Sequence, residues 1–204
     1  MTVKHFGGIY SIKPWWQHQL GGIEEWLVVR RVHPDLVTLT GVGCAGLLGA
    51  VLAGSAIWPL LALAVAPLAI GRLAANALDG LVARRLGVAR PWGEVFNEFG
   101  DRLADAAVLL GLALNSAVFS PLAWGVLVLT LLNSYLGTVA RAAGGRRQFG
   151  GLLAKADRMI YLAVFSPLAL IFGPIAWNWI LLAFLPAMLI TLWQRYRWIY
   201  AEFK

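Results

Sequence analysis

Hydrophobic positions dominate long segments of this chain, and polar positions are largely confined to the short intervals between them. These segments approach or exceed the ~20 residues that an α-helix needs to cross the hydrocarbon of a bilayer. We therefore predict an all-α polytopic membrane protein with six transmembrane helices. The predicted spans cover residues 36–53, 57–86, 93–114, 119–141, 155–172 and 175–196.

Residues 1–34 follow another pattern, in which tryptophan and aliphatic positions alternate with charged and amide positions. Tryptophan prefers the headgroup zone of a membrane, so we predict an amphipathic helix lying on the inner leaflet. No apolar stretch with a small-residue cleavage site marks a signal peptide here. The expected organisation is an amino-terminal cytosolic segment at 1–34 and one transmembrane domain at 35–204. The helix either anchors the chain or helps to admit a lipid substrate.

Composition and charge refine this picture. Hydrophobic residues make up 60% of the 204 residues and charged residues 13%, which excludes a water-soluble domain of this length. The loops near 54–56, 115–118 and 173–174 contain no charged residue, whereas the basic residues collect on the opposite side. The positive-inside rule then predicts that both termini and the basic loops are cytosolic. We expect a bacterial or archaeal cytoplasmic membrane. We attribute the net charge of +7 to contact with anionic membrane lipids, and not to nucleic acid.

Polar side chains interrupt the second and third predicted spans, where each would cost free energy unless paired, hydrated or bound to a metal. At 100° per residue they form one continuous polar face on each helix, and the short connection predicts that the two helices are antiparallel neighbours. Asp79 and Asp101 then lie at about equal depth. The faces comprise Arg72, Asn76, Asp79 and Ala83 on one helix, and Glu94, Asn97, Glu98, Asp101 and Asp105 on the other.

Two carboxylates at one depth, flanked by amide oxygens, repel each other unless a proton or cation lies between them. Oxygen ligands without thiolate or imidazole favour a hard cation, Mg²⁺ or Mn²⁺, which commonly bridges a protein to substrate phosphates. Arginines at the cytosolic rim, Arg84, Arg85 and Arg90, could balance the charge of a diphosphate. The alternative is a structural polar network between helices, in which Asp105 neutralises Arg72.

These residues resemble the signature of the CDP-alcohol phosphotransferase family. The family pattern is Asp-x-x-Asp-Gly-x-x-Ala-Arg, eight residues, then Gly-x-x-x-Asp-x-x-x-Asp. Every spacing matches, and six of the eight signature residues are identical. The segment from Pro34 to Thr38 is also similar to the family's Pro-Asn-x-x-Thr, and six helices behind an interfacial helix is the family architecture. The matching positions are Asn76, Asp79, Gly80, Ala83, Arg84, Gly93, Asn97 and Asp101.

The resemblance implies a reaction in which an alcohol hydroxyl attacks the β-phosphorus of a CDP-linked lipid such as CDP-diacylglycerol and displaces CMP. By this analogy Asp101 is the general base, and one or two Mg²⁺ or Mn²⁺ ions bind the diphosphate. Residues implied in holding the metal are Asn76, Asp79, Asn97, Asp101 and Glu98. Residues implied in holding the CDP moiety are Thr38, Gly80, Ala83, Arg84 and Gly93.

Asn76 and Asn97 depart from the family, which has aspartate at both positions. Amide oxygens can coordinate Mg²⁺, but two fewer negative charges weaken the field for a second ion. One ion, or weaker binding of two, is therefore expected. Glu98, next to Asn97, could restore one carboxylate.

The acceptor alcohol is sought around the fourth loop and the start of the fifth span. Lys155-Ala-Asp157-Arg158 is similar to a segment that binds the acceptor phosphate in family members with phosphorylated acceptors. Together with Arg141, Lys155 and Arg158 suggest a small, phosphorylated acceptor, although positive-inside loop charge explains the loop arginines equally well. The family resemblance also suggests a homodimer. The alternative function is an impaired member that binds CDP-lipid without turnover, as a binding or assembly protein.

Overall fold

The computed structural model describes residues 18–146 and 148–204, and this part of the chain is entirely helical apart from its turns. Much of the predicted interfacial helix, including Trp15 and Trp16, lies outside these residues. Seven α-helices and one 3₁₀ helix, Pro59–Ala64, occur in the described ranges. The α-helices are α1 Gly21–Val29, α2 Pro34–Gly54, α3 Val65–Arg85, α4 Pro91–Ala113, α5 Ser120–Ala142, α6 Lys155–Ile171 and α7 Ala176–Phe203.

The helix boundaries follow local sequence signals. Proline occupies the first turn of α2, α4 and α5, where its missing N–H needs no intrahelical partner. The α3–α4 connection turns at Gly87, whose φ of 66° is a left-handed conformation that glycine adopts without strain. At the start of α6, the Asp157 carboxylate accepts a hydrogen bond from the Ala154 N–H at 2.7 Å. This bond fixes the point at which Lys155 enters the bundle.

The chain is a membrane protein by the length and composition of its helices. Four helical segments within the described residues are long and apolar enough to cross a bilayer. Helices α4 and α6 coincide with the third and fifth predicted spans, but α4 carries many charged residues and α6 has only 17 residues. The count of six spans, and the position of α1 on the membrane surface, stay predictions. The four segments are Pro34–Gly54, Pro59–Arg85, Ser120–Ala142 and Ala176–Phe203.

Helix α2 lies at the centre of the site-bearing half of the bundle, packed against both α3 and α4. Its crossing with α4 is close because a Cβ added at Gly49 would overlap the Ala107 carbonyl, and one added at Gly111 would overlap the Gly49 backbone. Helix α3 also packs on α6, α4 on α5, and α5 on α7.

The helices α3 and α4, predicted as antiparallel neighbours, meet through side chains and not through close backbone packing. In the described part of the chain, α3 and α4 each pack closely against α2 and not against each other. The short connection brings their ends together without forcing their backbones into contact. Long polar side chains bridge the remaining gap, as between Arg72 and Asp101. The polar faces can therefore border a hollow.

Candidate active site

Asp79 is held by neutral donors. Its carboxylate is only 5% exposed and accepts a hydrogen bond from the Thr38 hydroxyl at 3.1 Å and from the Gly80 backbone N–H at 2.6 Å. Thr38 comes from α2, so two helices fix the orientation of this group. No described cation forms an ion pair with Asp79. Its negative charge therefore remains available to a ligand.

Asp101 has the opposite surroundings. Its Oδ1 accepts hydrogen bonds from Arg72 at 2.8 Å and from the Asn76 amide at 3.0 Å, and it forms an ion pair with Lys155. Arg102 lies 3.9 Å from Oδ2. Three helices, α3, α4 and α6, thus meet at one carboxylate whose Oδ1 is fully used by the protein.

Asp105, one turn further along α4, pairs with Arg158 at 2.9 Å. Both side chains are almost completely buried, so this ion pair fastens α6 to α4 inside the bundle. The structure contradicts the suggested pairing of Arg72 with Asp105, because Arg72 reaches Asp101 instead. Arg158, which was predicted to bind the acceptor, is buried and forms its ion pair with Asp105.

A cavity of about 550 Å³ opens beside Asp79. It brings together six residues of the predicted site, five from the metal and CDP sets and Arg141 from the acceptor set. The buried Asn97 Oδ1 has no hydrogen-bond partner among the described residues, which leaves an oxygen acceptor available. The wall is formed by His33, Pro34, Asp35, Thr38, Asp79, Ala83, Val88, Ala89, Arg90, Pro91, Gly93, Glu94, Asn97 and Arg141.

Not every predicted residue reaches this cavity. Glu98 pairs with Arg102 at 3.3 Å and lines a second cavity between α4 and α5. Asn76 and Asp101 lie in the cation network beneath the Asp79 cavity and do not line it. Gly80 and Arg84 are also off the wall, and a Cβ added at Gly80 would lie 3.3 Å from the Arg84 guanidinium. The Arg84 guanidinium therefore lies next to the Cα of Gly80.

Sequence reasoning missed several partners at the site. Arg90 of the connection pairs with Asp35 at 2.6 Å on the cavity wall, and the His33 imidazole accepts a hydrogen bond from the Asp35 N–H at 3.2 Å. Arg102 was also missed, although its position four residues after Glu98 is a recognisable helix pairing. The Asp35–Arg90 pair joins positions 55 residues apart in sequence, and no local pattern announces it.

The residues at the cavity fit a hard cation, although not a crowded metal cluster. In residues 18–146 and 148–204, no group of three or more His, Cys, Asp or Glu side chains is arranged to hold an ion. Asp79 supplies a carboxylate and Asn97 an unpartnered amide oxygen to the same cavity. Such oxygen donors suit Mg²⁺ or Mn²⁺, which usually complete their coordination with water and substrate phosphate.

Sequence comparison identifies relatives of this chain among membrane proteins and lipid-synthesising enzymes. No protein-family model matches the chain. The chain is 30% identical to the inner membrane protein YnbA of Escherichia coli over 185 residues, 91% of each protein. It is also 30% identical to the phosphatidylinositol phosphate synthase of Cutibacterium acnes over 152 residues, which is 71% of this chain and 70% of that enzyme.

Solved structures show the same fold. The phosphatidylinositol phosphate synthase of Mycobacterium tuberculosis with CDP-DAG bound superposes with a TM-score of 0.70 at 23% identity, covering 88% of this chain and 92% of that one. The same enzyme is known in complex with manganese and citrate, also at a TM-score of 0.70. Together with the sequence relatives, these matches show that the chain belongs to the CDP-alcohol phosphotransferase family of membrane transferases.

Proposed function

We propose that this protein transfers a phosphatidyl group from CDP-diacylglycerol to the hydroxyl of a small phosphorylated alcohol and releases CMP. The observation that carries the proposal is the cavity at Asp79, where matching positions from α3 and α4 meet Thr38 of α2. The name of the Cutibacterium acnes relative and the CDP-DAG complex of the structural neighbour support this donor. The reaction belongs to phospholipid biosynthesis.

The donor would bind with its diphosphate in the cavity. Ala83 and Gly93 line the wall and leave space that larger side chains would fill, and Thr38 holds Asp79 at its edge. Gly80 and Arg84 do not line this space, and by the family analogy the Arg84 guanidinium would turn toward it to balance phosphate charge. The acyl chains would remain in the lipid phase.

Asp79 and Asn97 would hold the divalent cation, Mg²⁺ or Mn²⁺. When bound, such an ion withdraws electron density from phosphate oxygens and stabilises negative charge on the departing CMP. Asp79 contributes the charge and Asn97 a neutral oxygen at the same cavity.

By analogy with the family signature, Asp101 would act as the general base through Oδ2, since Oδ1 is occupied by Arg72, Asn76 and Lys155. Asp101 does not line the cavity, so this role requires that substrate binding bring the acceptor hydroxyl within hydrogen-bond reach of Oδ2. Oδ2 would accept the hydroxyl proton of the acceptor while the alcohol oxygen bonds to the β-phosphorus and the bond to CMP breaks. Arg72 and Lys155 hold the carboxylate in one orientation, which reduces the reorganisation needed during proton transfer.

The acceptor phosphate would bind on the basic side of the cavity. Arg141 lines the wall and pairs with the exposed Glu94 at 3.0 Å, a contact that a phosphate could replace. Lys155 and Arg158 do not line the cavity; Lys155 pairs with Asp101 next to it, and Arg158 pairs with Asp105. The name phosphatidylinositol phosphate synthase, shared by two relatives, supports a phosphorylated polyol as acceptor.

A second candidate function is favoured by Asn76. Its amide donates to Asp101, as a structural residue would, whereas the family aspartate at this position helps to bind metal. The protein would then bind CDP-lipid without transferring it. We also propose that both termini and the cavity face the cytosol, because the uncharged loops lie on the opposite side. A homodimer is expected by family resemblance.

One experiment separates the two candidates. Purified protein in lipid nanodiscs is incubated with labelled CDP-diacylglycerol, Mn²⁺ and a panel of alcohols and alcohol phosphates, and both CMP and the lipid product are identified by mass. We expect CMP release that depends on a phosphorylated alcohol, and its loss in Asp79→Asn. Binding of CDP-diacylglycerol without CMP release for any acceptor would support the binding protein and overturn the transferase.

A further inference from the structure

The polar interior next to the cavity is rich in cations. Four basic side chains converge on the α3–α4–α6 interface, and they face three carboxylates. Two of the basic residues, Arg72 and Arg158, are almost fully buried. The basic set is Arg72, Arg102, Lys155 and Arg158, and the acidic set is Glu98, Asp101 and Asp105.

This arrangement leaves Asp101 poorly suited to bind a metal ion. Arg72 and Asn76 donate hydrogen bonds to Oδ1, Lys155 forms an ion pair with it, and Arg102 is the cation nearest to Oδ2. A divalent ion at Asp101 would lie within a few ångströms of three fixed positive charges, whose repulsion is little screened inside the bundle. The neighbouring cations already balance the negative charge of Asp101.

The surroundings of Asp79 differ from those of Asp101 in charge and in hydrogen bonding. Asp79 accepts only from a hydroxyl and a backbone N–H, and Asn97 Oδ1 is buried without a partner on the same cavity wall. Both groups offer oxygen to the cavity, and neither is engaged by an arginine or lysine ion pair in the described residues. Among the described residues, Asp79 and Asn97 therefore bring a negative charge and a free amide acceptor to one cavity.

Resting on the proposed metal-dependent transfer, we propose that the chain binds a single divalent ion, at Asp79 and Asn97, and that Arg72 and Lys155 supply beside Asp101 the positive charge of a second ion. Arg72 is then a positioning residue that acts through Asp101. Asn76 belongs to this side-chain network, because its amide nitrogen points toward Asp101 as a donor. Position 76 therefore carries a hydrogen-bond donor to Asp101 where the family has a metal-binding aspartate, and Arg72 and Lys155 provide the positive charge there.

Binding stoichiometry tests this directly. Mn²⁺ is titrated into the purified full chain, and free Mn²⁺ is measured by electron paramagnetic resonance without substrate. We expect one ion per chain in the wild type, at least a tenfold weaker affinity in Asp79→Asn, and one ion with affinity within about threefold of wild type in Asp101→Asn. Two ions in the wild type, none, or loss of binding in Asp101→Asn would each overturn the proposal.

A matched pair of variants tests the role of Arg72. Asn76→Asp alone should still bind one ion, because Arg72 and Lys155 neutralise the added carboxylate. Asn76→Asp combined with Arg72→Met should bind two, and combined with Arg72→Lys it should return to one. A second ion in Asn76→Asp alone would contradict the proposal. If the Asn76→Asp, Arg72→Met variant does not fold, the number of ions bound by the wild type and by Asp101→Asn still tests the single-ion proposal.

The same preparations separate this inference from the proposed function. Transfer activity together with two bound ions would leave the transferase intact and refute the single-ion site. One bound ion without any CMP release would leave the single-ion site intact and refute the transferase. Each result therefore bears on one proposal alone.

Discussion

Asp79 and Asp101 are two carboxylates on consecutive helices of one site, and their surroundings differ sharply. Asp79 is held by a hydroxyl and a backbone N–H and borders a cavity, whereas Asp101 is held by Arg72, Lys155 and an amide. The first keeps its charge for a ligand, and the second uses much of its charge to join helices. We therefore propose that positions in one signature divide between ligand binding and positioning.

The largest effect should come from removing the free carboxylate. Asp79→Asn should lower CMP release by roughly a thousandfold, because several kcal/mol of metal stabilisation correspond to that factor. Thr38→Val is the matched control, since it removes one neutral hydrogen bond of about 1 kcal/mol and should cost roughly fivefold. An Asp79→Asn variant with near wild-type turnover would break the comparison.

Asp101→Asn tests the other side of the comparison. Loss of a general base typically costs roughly 10² to 10⁴ in rate, and we expect CMP release to fall within that range. Affinity for CDP-diacylglycerol should stay unchanged, because Asn keeps an acceptor for Arg72. Turnover and equilibrium binding are measured on the same preparation. Full activity would remove Asp101 as the base.

The buried Asp105–Arg158 pair should show itself in stability. Arg158→Met leaves a buried carboxylate unpaired and should lower the free energy of unfolding by about 3–5 kcal/mol. Asp105→Leu combined with Arg158→Met should recover most of that loss, since similar ion pairs can be replaced by apolar packing. Thermal unfolding in nanodiscs measures both variants. Equal destabilisation by the single and double variants would refute the pairing argument.

Lys155→Ala should raise KM for the acceptor more than KM for CDP-diacylglycerol, and it should also lower kcat because Lys155 pairs with Asp101. We expect KM for a phosphorylated alcohol to rise by about tenfold or more, because a charged hydrogen bond of about 1.5–3 kcal/mol is lost. KM for CDP-diacylglycerol should change much less. Steady-state kinetics with each substrate varied in turn give the comparison. Equal increases in both KM values would show that Lys155 serves the whole site and not the acceptor.

The smallest effects come from restoring the two aspartates separately. Asn97→Asp adds charge on the cavity wall and should tighten Mn²⁺ binding by about tenfold, equivalent to about 1.4 kcal/mol. Asn76→Asp adds the same charge beside Arg72 and should change the affinity of that ion by less than about threefold. Titration of both variants sharpens the comparison, and equal gains would contradict it.

The sequence predicted the helices well because their signals are local. The predicted spans 36–53 and 93–114 lie within two residues of α2 and α4, since apolar runs and prolines mark their ends. The last helix continues to Phe203, beyond the predicted residue 196, because its amphipathic end keeps helical geometry outside the hydrophobic run. Four of the eight signature positions, Asp79, Ala83, Gly93 and Asn97, line one cavity.

The pairings inside the site could not be predicted in the same way. Asp101 and Asp105 lie only about 6 Å apart along the axis of α4, and a long arginine can reach either one. The packing of α3 and α6 on the bundle decides the choice, so Arg72 meets Asp101 and Arg158 meets Asp105. Glu98 faces Arg102 for the same reason, although it follows Asn97 directly in sequence.

The most direct test of the division between the two carboxylates is a crystal structure with CDP-diacylglycerol and Mn²⁺, with manganese located by anomalous scattering. We predict one manganese peak, coordinated by Asp79 and Asn97 and by the diphosphate, with Asp101 still bound to Arg72 and Lys155. A manganese ion coordinated by Asp101, or an empty Asp79 side, would contradict the account.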